Sequence, residues 1–507
     1  TTTELIRFSL TPLTQTLASG TASTITIHAF NADGSPQTIG GIPITPTIEA
    51  GDSSGNFGPV IDNNDGSYTF SFTPTIVGTA LDLGISTNTT FFLNNLAHII
   101  VVTGPASSIN SSLSSSSSTV ISGQAVTLTA TIRDSNNNPI SSGSTIAFAA
   151  SGGSSTGTLS ATTNQGNGVY SATYTGIVAG TAQTLRVSVN GTFLTPSTSI
   201  QVLPGTPVSA TSTIAVSSNT VSSGNSVLVT ATLRDINNNP VPSGILVGFN
   251  KTGGTSTGSF DSVVNSGNGI YKVNYTGITA GTAQTMTVVV DGVTLLPSDT
   301  VQVVPGAALL ANSSLTISNP TVVSGNFVTV QATLKDLNNN PIDSGITVSF
   351  TKTGGTSTGT FNSVANAGLG VYNIRYSGVA AGTDQNIKVL VNGIDLGLNV
   401  TIAVTPGAAS AANSTLAVSN GTVISGQAVT VTATIKDLNN NPISSGILVG
   451  FSKAGGTSTG TFSSITNAGN GVYSLSYTGV ISGSAQTLGV DVDGSALGVN
   501  TTVAVVP

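Results

Sequence analysis

The chain has 507 residues, a formal net charge of −7, and neither cysteine nor tryptophan; that length holds several domains, since a single core rarely exceeds about 250–300 residues. Charged residues are 6% of the chain against a typical ~25%, and the scattered Lys and Arg form no stripe, which argues against nucleic acid as a partner. The lack of cysteine removes disulfide scaffolds and thiolate metal sites, and no run approaches the ~18 consecutive apolar residues of a membrane span.

In chain order, the start Thr1-Thr2-Thr3-Glu4 lacks Met and any basic-then-apolar leader, so it reads as a processed or excised end. Residues 1–103 then form a diverged first unit, with Asp65-Gly66-Ser67-Tyr68 where later units have Asn167-Gly168-Val169-Tyr170 and its relatives. After it a repeat of 101 residues takes over. Arg133-Asp134-Ser135-Asn136-Asn137-Asn138-Pro139 returns as Arg234-Asp235…Pro240, Lys335-Asp336…Pro341 and Lys436-Asp437…Pro442, and Tyr170 returns as Tyr271, Tyr372 and Tyr473. The predicted domains are therefore 1–103, 104–204, 205–305, 306–406 and 407–507.

Within the repeat 104–204 the apolar period is two, which predicts strands. A leading strand is expected near 107–116. In 125–133, Val126, Leu128, Ala130 and Ile132 share one face while the threonines and Arg133 face water. Asp134–Pro139 reads as a turn, because Asp and Asn side chains bond locally to backbone and Pro fixes φ. Further strands are expected near 145–150, 157–162, 169–174, 182–189 and 193–202, the last two joined by Asn190-Gly191, a strong two-residue hairpin signal. About seven short antiparallel strands in ~100 residues is the pattern of an immunoglobulin-like sandwich. Tyr170, two residues before the aliphatic core position Ala172, is read as a ring at a corner of that sandwich with its hydroxyl on backbone. The fold class expected is all-β: five tandem immunoglobulin-like antiparallel β-sandwich domains in a semi-rigid rod, with Pro–Gly junctions such as Pro204-Gly205 too short for a free hinge.

The runs Ser122-Gly123-Gln124-Ala125-Val126…Arg133-Asp134…Asn138-Pro139 and Gly166-Asn167-Gly168-Val169-Tyr170-Ser171-Ala172-Thr173-Tyr174 resemble the repeats of invasin/intimin-type bacterial immunoglobulin-like surface proteins. The second run, with Asn190-Gly191…Leu194-Thr195-Pro196…Ile200-Gln201-Val202, is also similar to filamin-type repeats. The resemblance covers the four 101-residue repeats well and residues 1–103 loosely. It implies the sandwich fold and a spacer role, with binding confined to particular members.

Residues that could carry chemistry are few. The two histidines, His28 and His98, both lie in the first unit, so the repeats have no histidine for a Ser-His-Asp triad or a His metal site. Both sit in apolar strand-like runs and are read as ordinary sheet positions. Gly253-Gly254-Thr255-Ser256-Thr257-Gly258 lacks the Gly-Lys-Ser/Thr ending and helix of a phosphate loop and is read as an interstrand loop. Asp336-Leu337-Asn338-Asn339-Asn340, its relatives and Asp62-Asn63-Asn64-Asp65-Gly66 offer oxygens that could hold calcium weakly, but a satisfied turn is preferred. An intramolecular Lys–Asn cross-link would need a recurring amine; Lys251, Lys352 and Lys453 recur, but Ala150 stands in the first full repeat, and Glu occurs only at Glu4 and Glu49. The serine run Ser111–Ser118 and Asn190-Gly191-Thr192 are candidate glycan acceptors. No catalytic, cofactor-binding or metal residue is assigned.

The function expected is a non-catalytic extracellular structural protein, a stalk, filament or surface-layer subunit at a bacterial cell surface. The alternatives are an adhesin whose first domain binds a glycan or protein, and an accessory-module fragment of a larger secreted enzyme. Self-association is expected through sheet edges or lateral packing, because Leu5–Leu10 and Thr501–Val506 carry one charge between them and edges are ordinarily guarded by Lys, Pro or bulges.

Overall fold

The computed structural model describes residues 7–88 and 90–507. Strands dominate, and they assemble into five pairs of sheets, each pair around its own hydrophobic cluster. In the second domain one sheet runs Ser112–Ser115, Ala125–Thr131, Val169–Val178, Thr156–Leu159, with Thr163–Gly166 also on Val169–Val178. The facing sheet runs Thr119–Ile121, Thr192–Leu203, Gln183–Val189, Ile146–Ser151. The first domain repeats this order with Arg7–Thr11, Ser23–Phe30, Ser67–Ile76 and Ser54–Phe57 facing Thr14–Ala18, Thr90–Val102, Leu81–Thr87 and Ile44–Ala50. Its divergence is in sequence, not topology.

The alternation does what period two predicts. Val126, Leu128, Ala130 and Ile132 are buried, while Thr127 is exposed and Thr129, Thr131 and Arg133 are half-buried. They meet Leu185, Val187, Ile200 and Val202 of the opposite sheet, all but sealed from water. Apolar burial of this kind is worth about 25 cal/mol per Å², and it is the main stabilisation of a chain with so few charges.

The single leading strand expected near 107–116 is in fact two. Ser112–Ser115 pairs antiparallel with Ala125–Thr131; the chain then crosses, and Thr119–Ile121 runs parallel to Thr192–Leu203 in the other sheet. The polar run Ser114–Ser118 offers no alternating apolar face, so only Leu113 and Val120 anchor the two pieces. With Thr163–Gly166, this brings the strands of the domain to nine rather than about seven.

Tyr170 lies at the corner as expected. Its hydroxyl donates to the Ile140 carbonyl at 2.8 Å, and Tyr271, Tyr372 and Tyr473 bond Val241, Ile342 and Ile443 in the same way. In the first domain Tyr68 takes the position but accepts, from Ile42 N at 2.9 Å. A second tyrosine is sealed in the core of each repeat: Tyr174, Tyr275, Tyr376 and Tyr477 donate to Gln183, Gln284, Gln385 and Gln486. Burial raises the pKa of all eight repeat tyrosines.

One expectation is corrected here. The C-terminal segment Thr501–Val506 belongs to the strand Ser495–Val506, which is paired on both sides, with Thr422–Ile424 and with Gln486–Val492, so it is not an open edge. A strand that closes a repeat must fill the middle of its sheet to complete the core, however few charges it carries. At the other end, Arg7–Thr11 is an edge strand; Glu4, Leu5 and Ile6 lie outside the described residues.

Candidate functional site: the interdomain clamp

The residues that the structure draws together repeatedly are those of the Asp-x-Asn-Asn-Asn-Pro turn, and they meet the domain before them. In the second domain, Asp134 is fully buried. Its Oδ1 accepts from Asn136 N (2.9 Å) and Asn138 N (2.9 Å), and its Oδ2 from Asn138 Nδ2 (2.9 Å) and from Gly104 N (3.0 Å) of the linker. Burial by itself would raise this carboxyl, but these hydrogen bonds to the ionised form outweigh it and leave the pKa below 3.8. The same balance holds at Asp235, Asp336 and Asp437.

The three asparagines act differently. Asn136 donates to Ser19 Oγ of the first domain at 2.8 Å. Asn137 takes a left-handed φ of 71°, a conformation that Asn tolerates better than most residues, and its carbonyl accepts from Arg133 Nη1 at 2.8 Å. Asn138 plugs into the first domain: Nδ2 donates to Ser19 Oγ (2.9 Å) and Thr75 O (2.8 Å), and Oδ1 accepts from Val77 N (3.0 Å). Pro139 closes the turn by bridging back to Arg133. From behind, Asn110 Nδ2 holds the carbonyls of Asp134 (2.9 Å) and Ser135 (3.0 Å).

The clamp recurs at every junction. Asn239 joins Ser122 Oγ, Ile177 O and Ala179 N; Asn340 joins Ser223 Oγ, Ile278 O and Ala280 N; Asn441 joins Ser324 Oγ, Val379 O and Ala381 N, all at 2.7–2.9 Å. Gly205, Gly306 and Gly407 donate to Asp235, Asp336 and Asp437, each at 2.8 Å, so the linker itself is tied into the turn. A side chain at Gly306 would place its Cβ 2.8 Å from Ser223 O, so glycine is required there by close approach. Ser19, Ser122 and Ser223 under the clamp are 2–7% exposed and Ser324 is half-buried, whereas Ser425, which no turn in this chain covers, is exposed.

The turn is satisfied from within, as preferred from the sequence: its Asp oxygens accept from N–H donors. Among the described residues, no group of three or more His, Asp or Glu stands together. His98 Nδ1 pairs with Asp82 Oδ1 at 2.8 Å on the surface, with side chains 47% and 32% exposed, while His28 is exposed on its strand. Within the segment 253–258, residues 253–256 form the loop that joins Val247–Thr252 to Thr257–Phe260, and Thr257 and Gly258 already lie in the second strand. Lys251, Lys352 and Lys453 do not reach for a carboxamide. Each Nζ donates to a backbone carbonyl, of Gly258, Gly359 and Gly460, and lies over Phe260, Phe361 and Phe462 at 5.3–5.8 Å from the ring centre. The second domain, which has Ala150 in place of the lysine, also has Leu159 in place of the phenylalanine. A groove of about 950 Å³ beside the second junction has Asp235 as its one ionisable lining residue, already saturated.

Sequence reasoning saw Asp134–Pro139 as a turn and missed that it is a clamp. The signal was available: the turn is kept in all four 101-residue repeats, while the first domain has Asn31-Ala32-Asp33-Gly34-Ser35-Pro36 instead, a turn whose side chains bond one another.

Residues 107–205 and 208–306 match the model of the family described as Invasin, domain 3. Over those residues the match agrees with the motif resemblance to invasin-type immunoglobulin-like repeats, and the two repeats that follow keep the same strand order and the same turn. Among solved structures, the Escherichia coli adhesin FdeC is similar at 24% identity over 60% of this chain and 99% of its own, with a TM-score of 0.43. Invasin, a bacterial integrin-binding protein, is similar at 18% identity over 83% and 82%, with a TM-score of 0.38. Yersinia pseudotuberculosis InvD is similar at 20% identity over 58% and 98%, with a TM-score of 0.38. No curated protein sequence is a match. Among the described residues, no helix is long and apolar enough to cross a membrane.

Proposed function

We propose that this chain is a non-catalytic structural protein of a bacterial cell surface, a stalk whose five domains, divided at 103/104, 204/205, 305/306 and 406/407, are locked end to end. The observation that carries this reading is the clamp: the same buried Asp–Asn pair grips the preceding domain at four successive junctions. Catalysis needs convergent, available acids, bases or nucleophiles; the recurring polar cluster of these repeats spends its groups on holding domains together. The likeness of residues 107–205 and 208–306 to this repeat family supports an extracellular placement. Immunogold labelling of intact producing cells tests the reading. Antibodies to the first and last domains should both label unpermeabilised cells, at two different distances from the envelope; label seen only after lysis contradicts it.

A second reading, self-association by strand addition, is favoured by the edge position of Arg7–Thr11, whose one charge is Arg7. Light scattering of the full chain before and after removal of residues 1–11 decides it: particles that shorten on removal support it, and a monomer throughout contradicts it.

A further inference from the structure

Six Asn–Gly pairs occur in the chain, and the structure divides them into two chemical classes. In Asn167-Gly168, Asn268-Gly269 and Asn470-Gly471 the glycine is buried. A Cβ on Gly168 would stand 2.5 Å from Ile132 O, and the nitrogens of Gly168 and Gly471 are committed as donors to Ser141 and Ser444 Oγ at 2.7 Å. In Asn190-Gly191, Asn392-Gly393 and Asn420-Gly421 both residues are exposed. Gly191 and Gly393 have open space where a Cβ would be, and Gly421 meets nothing closer than 4.0 Å.

This difference governs a reaction of the chain with water. The glycine nitrogen can attack the asparagine Cγ; the bond from Cγ to the amide nitrogen breaks and ammonia leaves, forming a five-membered imide. Water then opens the imide at either carbonyl: at Cγ it restores the backbone and leaves an aspartate, and at the main-chain carbon it leaves the β-linked isomer with the same carboxylate charge. The balance is asparagine plus water to aspartate plus ammonia, with no redox partner. The attack needs a free, mobile glycine nitrogen, which the buried class lacks.

The chain itself carries the product at the matching hairpin tips. The third and fifth domains have Asp291-Gly292 and Asp493-Gly494 where the second and fourth have Asn190-Gly191 and Asn392-Gly393. All four first residues are left-handed, at φ 49–52°, as a two-residue hairpin turn requires. All four Oδ1 atoms accept the same kind of hydrogen bond. Asn190 and Asn392 accept from Thr145 N and Thr347 N at 2.8 Å, and Asp291 and Asp493 from Leu246 N and Leu448 N at 2.8 and 2.7 Å. A carboxylate oxygen serves there as well as a carboxamide oxygen. Asn190 Nδ2 also makes one long, exposed bond to Ser144 Oγ, at 3.4 Å, while Asn420 bonds through its Oδ1, towards Thr422 N and Oγ1.

We propose that Asn190, Asn392 and Asn420 are sites of non-enzymatic deamidation, at which the surface gains carboxylates without loss of fold. In a chain of formal net charge −7, three conversions give −10, a large change for a surface with so few charges. The test is incubation of the full chain in heavy-oxygen water at mildly alkaline pH, followed by peptide mass spectrometry. Labelled carboxylate is expected at Asn190, Asn392 and Asn420, with Asn167, Asn268 and Asn470 unchanged. No label at any pair, or equal label at the buried-glycine pairs, overturns the proposal. The variant carrying Asn190→Asp, Asn392→Asp and Asn420→Asp should melt with the parent and migrate faster towards the anode; a lowered melting temperature overturns the claim that the fold is unaffected.

Discussion

Asn340→Ala tests the clamp at one joint. The side chain donates to Ser223 Oγ (2.9 Å), Ile278 O (2.8 Å) and Asp336 Oδ2 (2.9 Å), and accepts from Ala280 N (2.8 Å). A net hydrogen bond is worth about 0.5–1.5 kcal/mol, and each buried group left without a partner costs about 1–3 kcal/mol. Asp336 keeps its bonds from Asn338 N, Asn340 N and Gly306 N, so the turn survives and Asn338 Nδ2 still donates to Ser223 Oγ at 2.7 Å, while the three bonds of the Asn340 side chain to the third domain are lost. About 2–4 kcal/mol at the joint is a reasonable sum, or roughly 30- to 1000-fold in an opening equilibrium. Amide hydrogen exchange on the full chain reads this directly. The Ala280 N–H should exchange faster by that factor, while Ala179 N–H and Ala381 N–H, at the neighbouring joints, keep their protection. Unchanged protection at Ala280 would refute the reasoning.

Three further outcomes are expected. Tyr271→Ala removes a buried corner ring and its bond to Val241 O, and should destabilise the third domain by about 3–5 kcal/mol while the other four keep their melting behaviour, as near-independent repeats do; domain-resolved proteolysis against temperature checks it, and an unchanged third domain contradicts it. The four clamp aspartates have pKa values lowered below 3.8, so their stabilisation is complete above the ordinary carboxylate range and is lost as pH falls through the lowered values; protection at Val77, Ala179, Ala280 and Ala381 N–H should hold at neutral pH and fall under strong acid, and loss on raising the pH from neutral would contradict the sign. Deleting residues 205–305 brings Ser122, Ile177 and Ala179 against the Asp336–Asn340 turn, an equivalent pairing, and should leave a folded four-domain chain; insoluble or strand-poor protein would show that these boundaries cut through a domain.

The fold was legible because the repeat is exact in length and the inward face is written in alternating apolar residues. Val126, Leu128, Ala130 and Ile132 could hardly face anywhere but the core, and Asn190-Gly191 closes the hairpin its dipeptide predicts. The serine run hid the crossing between Ser112–Ser115 and Thr119–Ile121, since serine carries no periodic apolar signal and the switch between sheets is set by long-range pairing with Thr192–Leu203. The clamp was half-legible. Local rules explain why Asp134 and its asparagines turn the chain, but the partners of Asn138 lie 61 to 119 residues away, beyond any local pattern. Edge character was misjudged at the C-terminus for the same reason: charge along Thr501–Val506 is a property of the segment, whereas its place in the middle of a sheet belongs to the whole domain.

The central claim is that four clamps make five sandwiches into one continuous rod. Small-angle X-ray scattering on the full chain, beside the variant with Asn138, Asn239, Asn340 and Asn441 all replaced by alanine, tests it most directly. With strands of seven to nine residues rising about 3.3 Å each, a domain with its loops spans roughly 35–45 Å, so the parent should be a single rod of roughly 170–220 Å. The alanine variant should retain its strand content and scatter as a shorter, broader distribution. A parent that scatters as a flexible chain, or a variant that scatters identically to it as a rod, would contradict the account.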